Sequence, residues 1–185
     1  MRGIYSQLWE LAHPYLQTRH NEEHTKGSYE FAKILVKEEK GDDDIVFPAI
    51  ILHDVGWSRV PEELHLTAFG PGKLNEELRR VHEIEGAKIA CEILFKVGYQ
   101  GSKIKEILSI IEGHDSRLQP LSLNDQLVKD SDKLFRFSPR GFAIDCERFK
   151  IKPYRWYKHL SDVVEEWLFT TKAKELALEQ LQRFN

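Results

Sequence analysis

The sequence predicts an all-α fold in a single domain. Apolar residues recur at intervals of three and four rather than two, which is the period of helices with one buried face. Gly, Pro and short polar breaks divide the chain into segments of helical length. No internal repeat, low-complexity stretch or change of composition splits the 185 residues, a length that supports one sizeable core.

The elements follow in order. A first helix is expected over 3–18 and a second over 21–39, with Asn21 in position to cap it. A third covers 43–55. From Trp57 to Lys73 runs a longer connection, with one helical turn at "PEEL" (61–64) and a Gly-Pro-Gly loop in "AFGPGK" (68–73). Connections of that length often act as lids or substrate loops. Helices at 74–97, 101–114 and 122–137 come next, with Asn75 and Ser122 as caps of the first and last. Gly41, Gly98 and Gly113 fall at or near helix ends, where a left-handed residue costs least. The C-terminal part, 145–184, is dominated by one helix over 153–183. It packs on the core or on another subunit, so a homodimer is an open arrangement.

Composition narrows the function classes. Hydrophobic residues make up 41% and charged residues 31%, a soluble globular balance. A net charge of −3 gives no global case for nucleic acid as a partner. No stretch of about 18 apolar residues exists to span a membrane. Cys91 and Cys146 stand far apart, so a disulfide framework is not expected and a reduced, cytoplasmic setting is. Glu10, His13 and Pro14 interrupt the N-terminal apolar residues, unlike a signal peptide.

The chemistry lies in what interrupts the buried stripes. In 21–39 the stripe of Leu35 and Phe31 passes Ser28 or Gly27 and reaches His24. In 43–55 the stripe of Val46, Ala49 and Ile50 reaches His53, with Asp54 beside it. In 74–97 the stripe of Val97, Ile93, Ile89 and Gly86 reaches His82. In 101–114 Ile107 and Ile111 lead to His114, and in 122–137 Asp132 sits between Val128 and Phe135. A single core-facing histidine is more often a satisfied core residue than a ligand. Five such groups, plus Asp54, are hard to satisfy separately, and one shared metal centre satisfies them together. Imidazole and carboxylate suit Zn²⁺, Fe²⁺, Mn²⁺, Co²⁺ or Ni²⁺, and no thiolate belongs to the set. Gly27 and Gly86 leave room for close approach of helices or a ligand. His20 stands four residues before His24, a spacing that can chelate, but falls before the helix start. His13, His65 and His159 are expected at the surface or around the centre, outside the ligand set.

His24, "HD" at 53–54, "HEIEGAKIACEIL" at 82–94, "IIEGHD" at 110–115 and "KDSDKL" at 129–134 together resemble the HD-domain superfamily of metal-dependent phosphohydrolases. The likeness covers about residues 20–137. It implies a single-domain helical bundle of the HD type holding one or two divalent ions (Fe, Mn, Co, Ni, Zn or Mg). By the resemblance, His24, His53, Asp54 and Asp132 match ligands of a primary ion. His82 and His114 match ligands of a second, with Asp54 bridging. Trp57 stands where nucleotidase-like members carry glutamate and cyclic-dinucleotide phosphodiesterases lysine. Asp115 stands where the latter have a second imidazole.

The expected reaction is hydrolysis of a nucleotide or other small phosphate ester by metal-activated water, with Asp54 as the catalytic carboxylate. Arg79, Arg80, Lys129 and Arg136 are the expected phosphate-binding residues, with Lys133 and Arg117 nearby. Two other readings use the same ligands: an HD-fold di-iron oxygenase, and a regulatory domain that binds a nucleotide.

Overall fold

A computed structural model describes residues 2–68 and 75–184 of the chain. Among them are ten α-helices and three single-turn 3-10 helices, and no strand. The helices are α1 (Arg2–Ala12), α2 (Asn21–Glu39), α3 (Asp43–Leu52), α4 (His65–Ala68), α5 (Glu76–Lys96), α6 (Gly101–Ile111), α7 (Leu123–Phe137), α8 (Pro139–Arg148), α9 (Pro153–Trp167) and α10 (Thr171–Gln182). The all-α expectation holds. No described helix is long and apolar enough to cross a membrane. Both cysteines are free. The Gly-Pro-Gly loop expected at 68–73 lies, beyond Ala68, outside the described residues.

The core is built around α3. Val46, Ala49, Ile50, Ile51 and Leu52 are all fully buried, because α1, α2, α6 and α7 pack around this helix. A helix apolar on every side belongs in the middle of a domain. Asp42 caps it by accepting from the Asp44 amide at 3.0 Å. Pro48 lies inside it and cannot donate back to the Asp44 carbonyl. The Tyr99 hydroxyl donates to that carbonyl instead, at 2.6 Å in a buried setting. Tyr99→Phe should therefore cost about 1–3 kcal/mol by stranding a buried acceptor. The denaturant midpoint measures this, and an unchanged midpoint would refute the assignment.

Four expectations need correction. Asn21 is the first residue of α2 rather than its cap. The cap position is His20, left-handed at φ 61° with no side-chain cap bond, and it follows a second left-handed residue, Arg19 at φ 57°. The turn is closed by backbone, Asn21 N–H donating to Thr18 O at 2.8 Å, so residue type alone misleads there. The first helix ends at Ala12, with a 3-10 turn at His13–Tyr15. Helix α8 was not expected, although Ser138 caps it and Pro139 opens it, a favoured helix start. The last helix is two. Asp130, buried on α7, accepts from the Phe169 and Thr170 amides at 2.8 and 2.9 Å and from the Thr170 hydroxyl at 2.7 Å. Thr170 then caps α10. A carboxylate 40 residues earlier in sequence makes this break.

The other expected helices differ only at their ends, but the connection from Trp57 holds more helix than expected, a 3-10 helix at Val55–Arg59 and then α4. Among the described residues only Gly98 of the three end glycines is left-handed, with Lys40 taking that place before Gly41. Asn75 and Ser122 do cap α5 and α7. Helix α3 stops at Leu52 and α6 at Ile111, which leaves His53 with Asp54, and His114 with Asp115, on the turns that follow. The turn expected at 61–64 is present as Glu62–Leu64.

Candidate metal centre

Three helices and two turns aim their polar groups at one place. His24 comes from α2, His53 and Asp54 from the end of α3, His82 from α5, His114 and Asp115 from the turn after α6, and Asp132 from α7. The six residues expected as ligands are thus brought together, and Asp115 joins them.

The donor atoms form two adjoining sets. In the first, His24 Nε2 lies 3.1 Å from His53 Nε2, 3.0 Å from Asp132 Oδ1 and 3.6 Å from Asp54 Oδ2. In the second, His82 Nε2 lies 3.4 Å from His114 Nε2 and 3.6 Å from Asp115 Oδ2. Asp54 belongs to both, since its other oxygen, Oδ1, is 3.7 Å from His114 Nε2. Two ligand atoms bound about 2.0–2.2 Å from one cation stand about 3–3.5 Å apart, and these separations of 3.0–3.7 Å come close to that spacing, so the residues could hold a cation.

Tautomers give an independent check on fit. His53 Nδ1 and His114 Nδ1 each face a backbone carbonyl at 2.8 Å, those of Ile50 and Ile111. A carbonyl accepts only, so Nδ1 carries the proton and Nε2 presents a lone pair. The Nε2 atoms of these two imidazoles then converge with carboxylate oxygens in a buried space. Such an arrangement repels itself without a cation, and this donor set fits a divalent ion.

The electrostatics agree. Burial pushes the His53 imidazole below its ordinary value. Burial and the charge of His114 push His82 down to about 4. Burial opposes ionisation of Asp54, yet His53, His114, His24 and Arg19 outweigh it and hold the carboxyl well below the usual range. Burial also opposes a charge on His114, but Asp54, Asp115 and Glu83 overcome it and raise the imidazole to about 9. Carboxylates that draw a proton onto a buried imidazole mark a place short of positive charge.

Neighbouring side chains hold the ligands in place. The Lys133 ammonium donates to Asp132 Oδ2 at 2.8 Å and Asp115 Oδ1 at 3.0 Å, clasping one carboxylate of each set and leaving their other oxygens to face the imidazoles. The Trp57 indole stacks on His82, with centroids 4.0 Å apart, and donates from Nε1 to Asp54 Oδ1 at 3.1 Å. Glu83 is fully buried and accepts from the Asp115 amide at 2.9 Å and from the Ser116 amide and hydroxyl at 2.8 and 2.6 Å. It fixes the turn that carries His114. Gly56 and Gly86 meet backbone to backbone, which lets the 55–59 turn approach α5. The room expected at Gly86 is filled by helix approach, and that at Gly27 by the Phe135 ring.

The expected phosphate-binding residues divide. Arg79 and Arg136 line a cavity of about 740 Å³ that opens from the centre. Lys129 also borders it, but its buried ammonium donates to the carbonyls of Gly113 and His114 at 2.6 and 2.8 Å. That geometry supports the His114 turn and leaves little for a ligand. Arg80 is not among the cavity's lining residues, and it donates to Glu83, Ser116 and the Glu112 carbonyl. Arg19, not expected from sequence, and Arg148, one of the basic residues clustered between 129 and 158, do line the cavity. The Arg19 guanidinium lies 4.0 Å over the Trp57 ring. His20 and His159 line the cavity too, while His65 is buried against Trp57 with Nε2 facing the Val60 carbonyl at 2.8 Å.

Comparison with known proteins agrees with this geometry. The family model for the HD domain matches residues 21–136, well over half of the chain. No curated protein matches the sequence. A crystal structure from an uncultured Thermotogales bacterium, described as a predicted HD superfamily hydrolase, superposes with a TM-score of 0.61 at 22% identity. The match covers 100% of this chain and 90% of that one. At that identity the likeness speaks for the fold.

Proposed function

The chain belongs to the HD-domain family, and on that premise we propose that it is a metal-dependent phosphohydrolase acting on a nucleotide or other small phosphate ester. The observation that carries this reading is Asp54, whose two oxygens face two separate sets of imidazole and carboxylate donors. His24, His53, Asp54 and Asp132 would hold one divalent ion, and Asp54, His82, His114 and Asp115 a second. A divalent ion supplies Lewis acidity there, neutralising a phosphoryl oxygen and lowering the pKa of water toward about 7.

The protein's own groups do the rest. Asp54 is the shared carboxylate, and Trp57 fixes one of its oxygens. Trp57 has no acid or base to offer and serves as a wall. Lys133 keeps Asp115 and Asp132 turned inward. Arg19, Arg79, Arg136 and Arg148 line the cavity beyond and suit an anionic substrate. Those arginines and Lys133 balance the lining carboxylates Asp54, Asp115, Asp132, Asp145 and Glu166, so bound divalent ions would leave the cavity net positive and attractive to anions.

The test is a screen of phosphomonoesters, nucleotides and diesters with protein purified without chelators and assayed for metal. Phosphate or ester release should stop on chelation and return with a divalent ion. Metal-loaded protein inert to the whole panel would overturn the reading, and oxygen consumption by the iron-loaded chain would replace it with oxygenase chemistry.

A further inference from the structure

The cavity is far larger than a phosphate needs, and its outer wall comes from the 139–169 segment, beyond the part of the chain that matches the family. That wall is largely aromatic, with Asp145, Arg148 and Glu166 as its charged members. Trp156, His159, Trp167 and Phe169 line it, and Phe135 and Ile144 join them. His159 stacks on Trp156 with centroids 5.0 Å apart at 26°, and meets Trp167 edge-on at 5.5 Å. The wall adjoins the metal centre. Phe135 packs edge-on against His24 at 5.1 Å. Arg136, one turn after Asp132, places its guanidinium 6.0 Å over the Trp167 ring and pairs with Asp145 at 3.1 Å.

Trp156 supplies the second observation. It is 1% exposed, and its indole Nε1 is buried without a hydrogen-bond partner. A buried indole N–H ordinarily finds an acceptor, and leaving one unpaired is costly. Phe169, by contrast, remains 36% exposed, so this wall is not closed core. Ligand cavities of about 300–1,000 Å³ typically combine apolar walls with a few placed polar groups.

We infer that this aromatic wall is a specificity subsite, which selects phosphate esters whose leaving group is a flat aromatic or heteroaromatic ring bearing an acceptor for the Trp156 N–H. The inference rests on the phosphohydrolase reading for the anionic end of the ligand.

Non-hydrolysable phosphonates separate the two. Calorimetry on the Mn²⁺-loaded chain would compare alkylphosphonates of one to four carbons with the same chains ending in phenyl or pyridyl. At least one ring-bearing ligand should bind tenfold or more tighter than its alkyl counterpart. Trp167→Ala should erase that gain. Trp156→Phe, which keeps the ring, should remove only the preference for pyridyl over phenyl. Equal binding with and without a ring, a ring preference that survives Trp167→Ala, or no binding at all would overturn the subsite. If the ring preference holds while no ester is hydrolysed, the subsite stands and the hydrolase reading fails. Hydrolysis with no ring preference gives the reverse.

Discussion

Asp54→Ala should empty both halves of the centre and abolish turnover while the fold survives. One oxygen of Asp54 faces His24 and His53 at 3.6 Å each, and the other faces His114 at 3.7 Å. Among the described residues no other carboxylate faces imidazoles of both sets, so its loss would act on both halves of the centre at once. The Lewis acidity lost amounts to several kcal/mol, a fall of about a thousandfold or more in rate. The metal-free fold should tolerate the change, because removing a buried carboxylate relieves the draw on the surrounding imidazoles. Added divalent metal should raise the melting temperature of the wild-type chain, since an ion that binds only the native state stabilises it. It should leave the variant where it was. A variant that keeps its metal-dependent stabilisation and its activity would refute the bridging role.

Gly56→Ala should be among the most damaging single changes, at about 3 kcal/mol or more. A Cβ there would sit 1.9 Å from the His82 carbonyl oxygen, 2.5 Å from the Gly86 nitrogen and 2.8 Å from the Gly86 Cα. Every one of those atoms is backbone, so no side chain can swing away. The 55–59 turn and α5 must part, which moves His82 away from His114. Gly86→Ala is the control. Its Cβ would meet nothing closer than 3.5 Å, and alanine favours a helix interior by up to about 1 kcal/mol. Denaturant unfolding should show the first variant collapsing and the second near or above wild type. Equal stability of the two would show that the close approach is not required.

Five of the six converging positions were legible in sequence because each breaks an apolar stripe of helical period, and Asp54 because it adjoins His53; period survives without coordinates. Asp115 was visible only as the residue in place of an imidazole. It lies on a turn past α6, where no stripe points inward, so its direction depends on Glu83 and Lys133. Glu83 itself follows His82 directly and reads as a surface charge. Its burial comes from the Ser116 turn it accepts from. Arg19 was hidden for a different reason. Two successive left-handed residues set its direction, and nothing in "QTRHN" announces them. The phosphate-binding role expected of Lys129 rested on charge, and burial against two carbonyls redirects it. The break at 168–170 depends on Asp130, which no local rule connects to it, whereas Ser138-Pro139 did carry a readable start for α8.

Metal content tests the central claim most directly. The chain equilibrated with Mn²⁺ and stripped of unbound ion should retain two equivalents, with His82→Ala keeping one and Asp54→Ala fewer than one. Wild-type protein that retains no divalent ion, or an Asp54→Ala chain that still retains two, would contradict a two-ion centre bridged by Asp54.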